Sequence, residues 1–393
     1  MKLRTKTRWL ALLAVFALFA AACGADSVVD EATDAVDDAA DVVDEAADAV
    51  DGDDEEAMED EEEAMEDDEE AMEDDAMEDE GGAVCEVTDT GGVDDRSFNQ
   101  LAFEGAEAAE ERFGWEPRVI ESTSETDFDP NIASYVDQGD CNLIVTVGFA
   151  LGDATASSAA DNPDQQYAIV DFAYDPAIDN VQGLIFQIDQ AAFLVGYIAA
   201  DQTQTGVVGT FGGVNIPPVT DFMEGFAQGV AYYNGEKGTD VTVLGWDSEA
   251  QDGLFTGNFE SLEDGRSFAE NLADEGADII LPVAGPVGLG AAALVQERDL
   301  RLIGVDADWT QTAAEFDDVI LTSILKNIDV AVLNAATAVH NDEVAPVLLS
   351  TLESGGVGFA PITNAWNEGT ELEAELETIS AGIIDGSIPT KAG

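Results

Sequence analysis

The sequence predicts an α/β protein with parallel sheets, and three observations support this fold class. From residue 84 onward, strand-like and helix-like segments alternate regularly, which is typical of parallel α/β architectures. The run "NLIVTVGF" is continuously apolar, as expected for a strand in a sheet that is covered on both faces. Residues 81–393 are long enough for two compact domains.

Each predicted element follows from hydrophobic spacing and from flanking turn residues. Strands are predicted, in order, at "CEVTDTGG", "EPRVIES", "NLIVTVGF", "QQYAIVDFAY", "GVVGTFGG", "DVTVLGW", "ADIILPVAG", "LRLIGVDADW" and "VILTSILKN". Helices are predicted at 97–113 and at "AAFLVGYIAADQT", "VTDFMEGFAQGVAYYN", "GRSFAENLADEG", "VGLGAAALVQERD" and "DVAVLNAATAVHND". Most strands end in Gly, Asp, Asn or an aromatic residue, and ligands of parallel sheets bind beyond the carboxyl ends of the strands. The strand ends therefore predict a cleft for a small polar ligand with a planar part.

Residues 1–23 have the pattern of an export signal. Four basic residues precede an apolar run and then small residues up to Cys23, an arrangement too short and asymmetric for an ordinary membrane span. The ending "AAAC" resembles a bacterial lipobox, although Ala20 stands where leucine is commonest. A lipidated Cys23 would anchor the protein to a membrane surface. The alternative is a plain signal peptide with a chance cysteine.

Residues 24–82 are predicted to be an acidic, disordered spacer. Positions 26–80 hold 31 Asp or Glu residues and neither Lys nor Arg. Apolar residues at helical spacing, and methionines at seven-residue spacing, leave a coiled coil or a cation-binding tail as alternatives. Like charges at neighbouring helical positions repel, and extreme charge with low hydrophobicity favours an extended chain.

The charge of residues 81–393 argues against nucleic acid as a partner. This part holds 54 acidic residues against nine basic ones, and phosphate recognition needs Lys and Arg. Such acidity suits a salty exterior, where ions screen the self-repulsion of the chain.

The sequence contains none of the common catalytic or metal-binding motifs. CxxC, HExxH and GxSxG are absent, and the glycine-rich loop at 90–97 lacks the GK[ST] ending of a phosphate loop. The pieces "DFDPN" and "DADWTQ" lack the pattern of a calcium-binding hand. His340, the single histidine, is expected on a helix surface. We therefore expect no enzyme, no cofactor and no metal, with a glycosidase-like carboxylate pair as the open alternative.

Nine short motifs, in order along the chain, resemble the basic membrane protein family of bacterial lipoproteins. They are "DTGGVDDRSFNQLAFEG", "NLIVTVGFAL", "YAIVD", "AAFLVGYIAA", "VVGTFGG", "FMEGFAQGV", "GADIILPVAGPVGLG", "IGVDADW" and "LTSILKNID". The resemblance covers roughly residues 84–360. Studied members of the family bind purine nucleosides for ABC-type importers, and the resemblance implies that function here.

The resemblance also implies the periplasmic-binding-protein-like type I fold, with two Rossmann-like lobes, parallel sheets, three crossovers and a ligand between the lobes. We expect an N-terminal lobe of residues 84–181 plus 326–350. The C-terminal lobe is expected to consist of residues 182–325 plus 351–393.

Cys85 and Cys141 each stand immediately before a strand-like run. In a lobe of the implied fold, the first and third strands are parallel neighbours, so both cysteines would lie at the sheet edge opposite the cleft. Neighbouring strands are about 4.8 Å apart, a spacing that a disulfide tolerates, and an exported chain meets an oxidising environment. We predict a disulfide, with two isolated thiols as the alternative.

A set of ligand-binding residues follows from the resemblance, motif by motif. The set consists of Asp89, Phe98, Asn99, Asp171, Phe259, Gly285, Asp306 and Lys326. The two phenylalanines are expected to sandwich a purine base, and Asp171 to accept hydrogen bonds from its N–H groups. The remaining charged residues are expected to bind the ribose hydroxyls.

For several of these residues, the alternative to ligand binding is a purely structural role. Phe98 begins an amphipathic helix and would then be a core residue, and Lys326 would be a surface ion-pair partner. Asp94 and Asp95 are expected to cap the helix rather than to bind a ligand. Under the same alternative, the glycines at the strand ends would simply permit tight turns.

These observations predict a lipid-anchored receptor on the extracytoplasmic face of the cell membrane. It would act as a monomer, capture a nucleoside, with purine nucleosides preferred, and deliver it to ABC permease subunits. A receptor of the same fold for a sugar or a furanose signal is the first alternative, and a nucleoside hydrolase is the second.

Overall fold

The computed structural model describes residues 81–367, 369 and 371–391. They form two α/β lobes, each built around a six-stranded sheet. Cys23 and nearly all of the predicted spacer lie outside the described residues, so the anchor and the spacer stay predictions. Within the described part of the chain, none of the helices combines the length and the apolar character needed to cross a membrane.

The sheet of the first lobe is entirely parallel. Its strands are, in spatial order, β13 (Val347–Ser350), β5 (Val181–Phe186), β4 (Tyr167–Val170), β3 (Cys141–Val147), β1 (Ala83–Val87) and β2 (Glu116–Ile120). Successive residues of β4 point to opposite faces, because Ala168 and Val170 belong to one core cluster and Tyr167 and Ile169 to the other. A strand buried on both faces needs a continuous apolar run, which is the pattern seen in the sequence.

The second lobe repeats this arrangement with one antiparallel strand. Its strands are, in spatial order, β14 (Val357–Phe359), β12 (Ile320–Lys326), β11 (Arg301–Asp306), β10 (Ile279–Val283), β6 (Val207–Gly212) and β7 (Thr242–Leu244). Strand β14 pairs antiparallel with β12. Two further short strands, β8 (Trp246–Asp247) and β9 (Asp252–Gly253), form a separate antiparallel pair.

The predicted strand "DVTVLGW" is divided in the structure between β7 and β8 at Gly245. This residue has a φ of 88°, and a Cβ atom there would lie 1.9 Å from the carbonyl oxygen of Thr210. Only glycine tolerates both the left-handed backbone and this close approach, so the chain turns out of the sheet at this point.

Helices pack against both sheets. They are Phe98–Phe113, Phe128–Gln138, Gly152–Asp161, Ile188–Gln202, Pro217–Lys237, Leu262–Asp274, Val287–Glu297, Trp309–Thr312, Ile328–His340 and Glu371–Ile384. Short 3₁₀ turns occupy Glu125–Asp127, Phe149–Leu151 and Ala314–Phe316.

The chain crosses between the lobes three times, after β5, after β12 and after β13. Strand β5 belongs wholly to the first sheet, so the first lobe extends to Phe186 and not to the predicted residue 181. Lys326, which was predicted to begin the returning segment of the first lobe, is the last residue of β12 in the second sheet. In both cases the chain completes its strand before it crosses, because a strand that stopped earlier would leave ladder hydrogen bonds unmade.

Cys85 and Cys141 form a disulfide whose Cα atoms are 5.9 Å apart. It joins the parallel neighbours β1 and β3. Cys141 begins its strand, whereas Cys85 lies in the middle of β1 rather than before it, because the strand starts at Ala83. Both cysteines are buried in the core cluster that includes residues of the helices Phe128–Gln138 and Gly152–Asp161.

Candidate ligand-binding site

A cavity lies between the carboxyl ends of the two sheets. All eight residues of the predicted ligand set line this cavity: Asp89, Phe98, Asn99 and Asp171 from the first lobe, and Phe259, Gly285, Asp306 and Lys326 from the second. The structure therefore brings together residues that are far apart in the sequence, and the walls of the cavity come from both lobes.

Asp95 fixes the start of the helix Phe98–Phe113 beside the cavity. Its carboxylate accepts hydrogen bonds from the backbone N–H groups of Ser97, Asn99 and Gln100, at 2.8–3.1 Å. These donors have no partner within the first turn of a helix, and a carboxylate there also interacts favourably with the helix dipole. The capping role predicted for Asp95 is confirmed.

The side chain of Asn99 holds Asp89 in place. Its Nδ2 donates to Oδ1 of Asp89 at 2.8 Å and to Oδ2 of Asp95 at 2.9 Å, and its Oδ1 accepts from the backbone N–H of Asp89 at 3.1 Å. Asp89 Oδ1 also accepts from the N–H of Gly91 at 2.8 Å. Because Asn99 is only 1% exposed and its amide is engaged by the protein, the geometry favours a positioning role for it over direct ligand contact.

Lys326 is a buried cation surrounded by aromatic rings. Its Nζ donates to Oδ2 of Asp171 at 2.5 Å, and its side chain is 2% exposed. The ring centroids of Phe98, Phe186 and Phe222 lie 4.9, 5.1 and 5.8 Å from the same nitrogen, within the range of cation–π attraction. The alternative of a surface ion pair is therefore wrong, because this pair lies in the interior between the lobes.

Asp171 and Asp306 occupy equivalent places in the two sheets. Asp171 directly follows β4, Asp306 ends β11, and these strands hold the same position in the order of their sheets. Both residues have left-handed backbones, with φ of 65° and 66°. Aspartate adopts this conformation more readily than most residues, so each chain can turn sharply at the sheet edge while the carboxylate lines the cavity.

Phe259 reaches the cavity on a segment that is tied to the end of β6. The N–H of Gly212 donates to the carbonyl of Leu254, and the N–H of Gly257 donates to the carbonyl of Gly213, at 2.8 and 2.7 Å. A Cβ atom on Gly213 would lie 2.3 Å from Cε1 of Phe259. Gly213 therefore leaves space for the ring of Phe259, in addition to permitting the tight turn that was predicted from the sequence.

Several apolar lining residues were not predicted. Phe149, Ile216, Pro218, Val219 and Phe222 add an apolar wall to the cavity. Phe149 and Ile216 follow strands that end in glycine, in "TVGFAL" and "TFGGVNIPP". Their position just after a strand end could therefore have indicated both as lining residues. Phe222 lies within a helix, where its spacing resembles that of any core residue.

Burial governs the electrostatics of the site. It raises the pKa of Asp89 to about 6 and the pKa of Asp306 to about 7, although Lys326 acts in the opposite direction on Asp306. In the neighbouring strand β1, burial also raises the pKa of Glu86 well above its usual range, and the charges of Asp95 and Asp89 add to the effect. Four aspartates and one lysine line the cavity, so it is rich in hydrogen-bond acceptors and poorly suited to an anion.

Among the described residues, no group of three or more His, Cys, Asp or Glu side chains is arranged to hold a metal ion. The residues that line the cavity offer a ligand hydrogen bonding, ring stacking and apolar contact.

Comparison with known proteins gives consistent matches along the described chain. Residues 83–390 match the sequence model of the Bmp family, described as "ABC transporter substrate-binding protein PnrA-like". Basic membrane protein A1 of Borrelia garinii subsp. bavariensis is 33% identical over 306 residues, covering 76% of this chain and 85% of that protein. The ABC transporter nucleoside-binding protein BmpA of Lactococcus lactis subsp. cremoris is 28% identical over 325 residues, covering 77% and 87%.

A solved structure supports the same assignment. The crystal structure of an ABC transporter solute-binding protein from Aeropyrum pernix K1 matches with a TM-score of 0.70 at 28% identity, covering 78% of this chain and 92% of that one. The periplasmic-binding-protein-like fold that the nine motifs implied is confirmed, and the family consists of solute-binding proteins rather than enzymes. The chain belongs to the PnrA-like (Bmp) family of ABC transporter substrate-binding proteins.

Proposed function

We propose that the protein captures purine nucleosides between its two lobes and delivers them to an ABC permease. The observation that carries this proposal is the cavity itself, in which phenyl rings from both lobes accompany a wall of carboxylates and one buried ammonium. The similar protein of Lactococcus lactis is named a nucleoside-binding protein, which agrees with this chemistry.

The base is expected to lie between Phe98 and Phe259. Phe98 stands at the start of a helix in the first lobe, and Phe259 lies on a loop of the second lobe. Stacking of a base on an aromatic side chain contributes about 1–3 kcal/mol. A ligand held by one ring from each lobe would also favour closure of the lobes about the three crossovers.

The sugar and the edge of the base are expected to contact the charged residues. An ionised carboxylate only accepts hydrogen bonds, whereas a lysine ammonium donates three. A purine nucleoside supplies ribose hydroxyls and N–H groups as donors, and its oxygens can accept from Lys326. A site that hydrogen-bonds a hydroxyl strongly rejects an analogue that lacks it, so we expect the ribose to matter as much as the base.

The same charges should exclude nucleotides. A phosphate group would enter a cavity in which four aspartates face one lysine that already pairs with Asp171. Burying an unpaired charge is costly, so a nucleoside monophosphate should bind far more weakly than its nucleoside.

Delivery to a permease requires the receptor to stay at the membrane. We propose that Cys23 is lipidated and that residues 24–82 act as an extended spacer between the anchor and the lobes. A monomer suffices, because both walls of the cavity come from one chain.

Isothermal titration calorimetry of the mature protein tests the proposal. Guanosine, inosine and adenosine should bind, whereas ribose, guanine and guanosine monophosphate should bind at least tenfold more weakly. Uridine measures the preference for purines. Tight binding of ribose or another furanose without binding of any nucleoside would replace this function by that of a sugar receptor.

A further inference from the structure

A second ion pair joins the two lobes, outside the cavity. Nη1 of Arg96, in the loop after β1 of the first lobe, lies 2.5 Å from Oε1 of Glu315. Glu315 belongs to the 3₁₀ turn Ala314–Phe316, which follows β11 in the second lobe. Among the ion pairs of the described residues, only this one and the Asp171–Lys326 pair connect the lobes.

Both ends of the pair are held by their own lobe. Arg96 has a left-handed backbone with φ of 63°, a conformation that is unfavourable for such a residue and persists where the surroundings enforce it. Here the enforcing group is Asp95, whose carboxylate accepts from the N–H groups on the other side of Arg96. On the opposite side of the cleft, Nε2 of Gln296 donates to the carbonyl of Glu315 at 3.0 Å.

Both lobes carry a large negative charge, and the Arg96–Glu315 pair offsets part of the resulting repulsion between them. The first lobe, 83–187 plus 327–350, carries 24 acidic residues and three arginines. The second lobe carries 30 acidic residues and six basic ones. Closure therefore brings two strongly negative bodies together, and their repulsion opposes it.

Of the three arginines of the first lobe, Arg96 is the one that pairs with an acidic residue of the second lobe. Arg112 lies in the last turn of its helix, at the end opposite Asp95. Arg118 pairs with Glu116 and Asp140 of its own lobe. Within the described chain, Arg96 is thus the basic residue of the first lobe that forms an ion pair with the second.

We infer that the Arg96–Glu315 pair holds the closed, ligand-bound state and slows release of the ligand. The pair cannot form when the lobes separate, so its interaction energy adds to the closed state alone. Neither residue lines the cavity, so the pair should act on dissociation and not on which ligand is chosen.

The expected size of the effect is modest and measurable. Exposed ion pairs change equilibria by up to about fivefold, and the arginine and glutamate side chains are 43% and 51% exposed. We expect Arg96→Gln and Glu315→Gln each to raise the nucleoside dissociation rate about 2- to 5-fold. The double variant should resemble a single variant, because the two residues act through one interaction.

Stopped-flow release of a fluorescent purine nucleoside analogue from the full mature protein measures this rate. Arg96→Glu should release the analogue fastest, because it places two carboxylates face to face, and the exchanged variant Arg96→Glu/Glu315→Arg should recover much of the loss. Arg266→Gln is the matched control, since the Arg266–Glu297 pair has similar exposure, 41% and 59%, but lies within the second lobe. In about 1 M salt, where the screening length is roughly 3 Å, the differences should shrink.

The inference rests on the proposed nucleoside binding, and the two can fail separately. If the wild-type protein binds no purine nucleoside, the proposed function is wrong and this inference falls with it. If the wild type binds and the Arg96 and Glu315 variants release the analogue at the wild-type rate, or if Arg266→Gln changes the rate equally, the inference alone is overturned.

Discussion

Replacing Lys326 by methionine should weaken ligand binding and also destabilise the ligand-free protein. Methionine keeps the apolar stem among the three phenylalanine rings and removes the ammonium. Asp171, whose side chain is 8% exposed, then loses the cation that lies 2.5 Å away. Removing one partner of a buried pair is strongly destabilising because it leaves the other charge uncompensated.

The size of both effects can be worked from the structure. Breaking a buried ion pair costs about 3–5 kcal/mol. With an unfolding entropy of about 2.1 cal/mol/K per residue over roughly 300 folded residues, this corresponds to a fall in Tm of about 5–8 °C. A hydrogen bond to a charged group contributes about 1.5–3 kcal/mol, so the affinity for a nucleoside should fall by about 10- to 150-fold.

Differential scanning fluorimetry and calorimetry separate the two effects. The double variant Lys326→Met/Asp171→Asn should recover stability but not affinity. Lys237→Met is the control, since that lysine pairs with Glu375 near the surface. Wild-type Tm and wild-type affinity in Lys326→Met would refute this reasoning.

Four further predictions follow from the site and the chain. Phe98→Ala should weaken nucleoside binding about 5- to 150-fold in calorimetry, because about 1–3 kcal/mol of stacking is lost, and unchanged affinity would show that Phe98 is a core residue. Reducing the β1–β3 disulfide, which spans 56 residues, should cost about 4 kcal/mol of stability on the chain-entropy model. Tm should fall on reduction without a change in affinity, and two alkylatable thiols in the unreduced protein would contradict the bond. Because the folded-state pKa values of Asp89 and Asp306 are raised to about 6 and about 7, the stability they contribute is full below about pH 4 and is lost as the pH rises through those values. The Tm of the unliganded protein should therefore fall between about pH 4 and 7, and Asp306→Asn should flatten this slope. A slope that is unchanged in the variant would contradict the assignment. Deleting residues 26–80 while keeping Cys23 should leave both affinity and Tm nearly unchanged, and a large change in either would show that the segment docks on the lobes.

Much of the lining of the cavity was predictable from the sequence because the cavity is built from strand ends. In a parallel sheet, the residue after a buried apolar run must lie at the carboxyl edge, whatever the rest of the fold does. Asp89, Asp171 and Asp306 all follow such runs, and all three line the cavity. The resemblance of the nine motifs to the family then implied that these strand ends belong to two lobes that face each other across a ligand.

Features that depend on contacts distant in sequence were not predictable in the same way. The helices Phe128–Gln138 and Glu371–Ile384 were not predicted, although the buried residues of each recur at helical spacing once the structure shows which side faces the core. The first lobe boundary was placed at residue 181 because β5, a short run that contains Gln182 and Gly183, was not predicted as a strand, although the turn residues Asp179 and Asn180 precede it. The Arg96–Glu315 pair joins positions 219 residues apart, and neither residue stands out in the sequence.

The two lobes offer equivalent strand ends but different chemistry, and this difference orients the ligand. Strand β5 ends in Phe186 where the matching strand β12 ends in Lys326, so a ring of one lobe faces the cation of the other at 5.1 Å. The matching pair Asp171 and Asp306 then become unequal, because the ammonium pairs with Asp171 while burial raises the pKa of Asp306 to about 7. At neutral pH, Asp306 is therefore divided between an acceptor form and a form that also donates a hydrogen bond. A ligand with one donor-rich edge and one edge of mixed donors and acceptors can therefore form hydrogen bonds with both Asp171 and Asp306 in one orientation only. Asp306→Asn, which keeps one donor and one acceptor, should accordingly disturb nucleoside binding less than Asp306→Ala, and equal losses in the two variants would show that Asp306 does not contact the ligand.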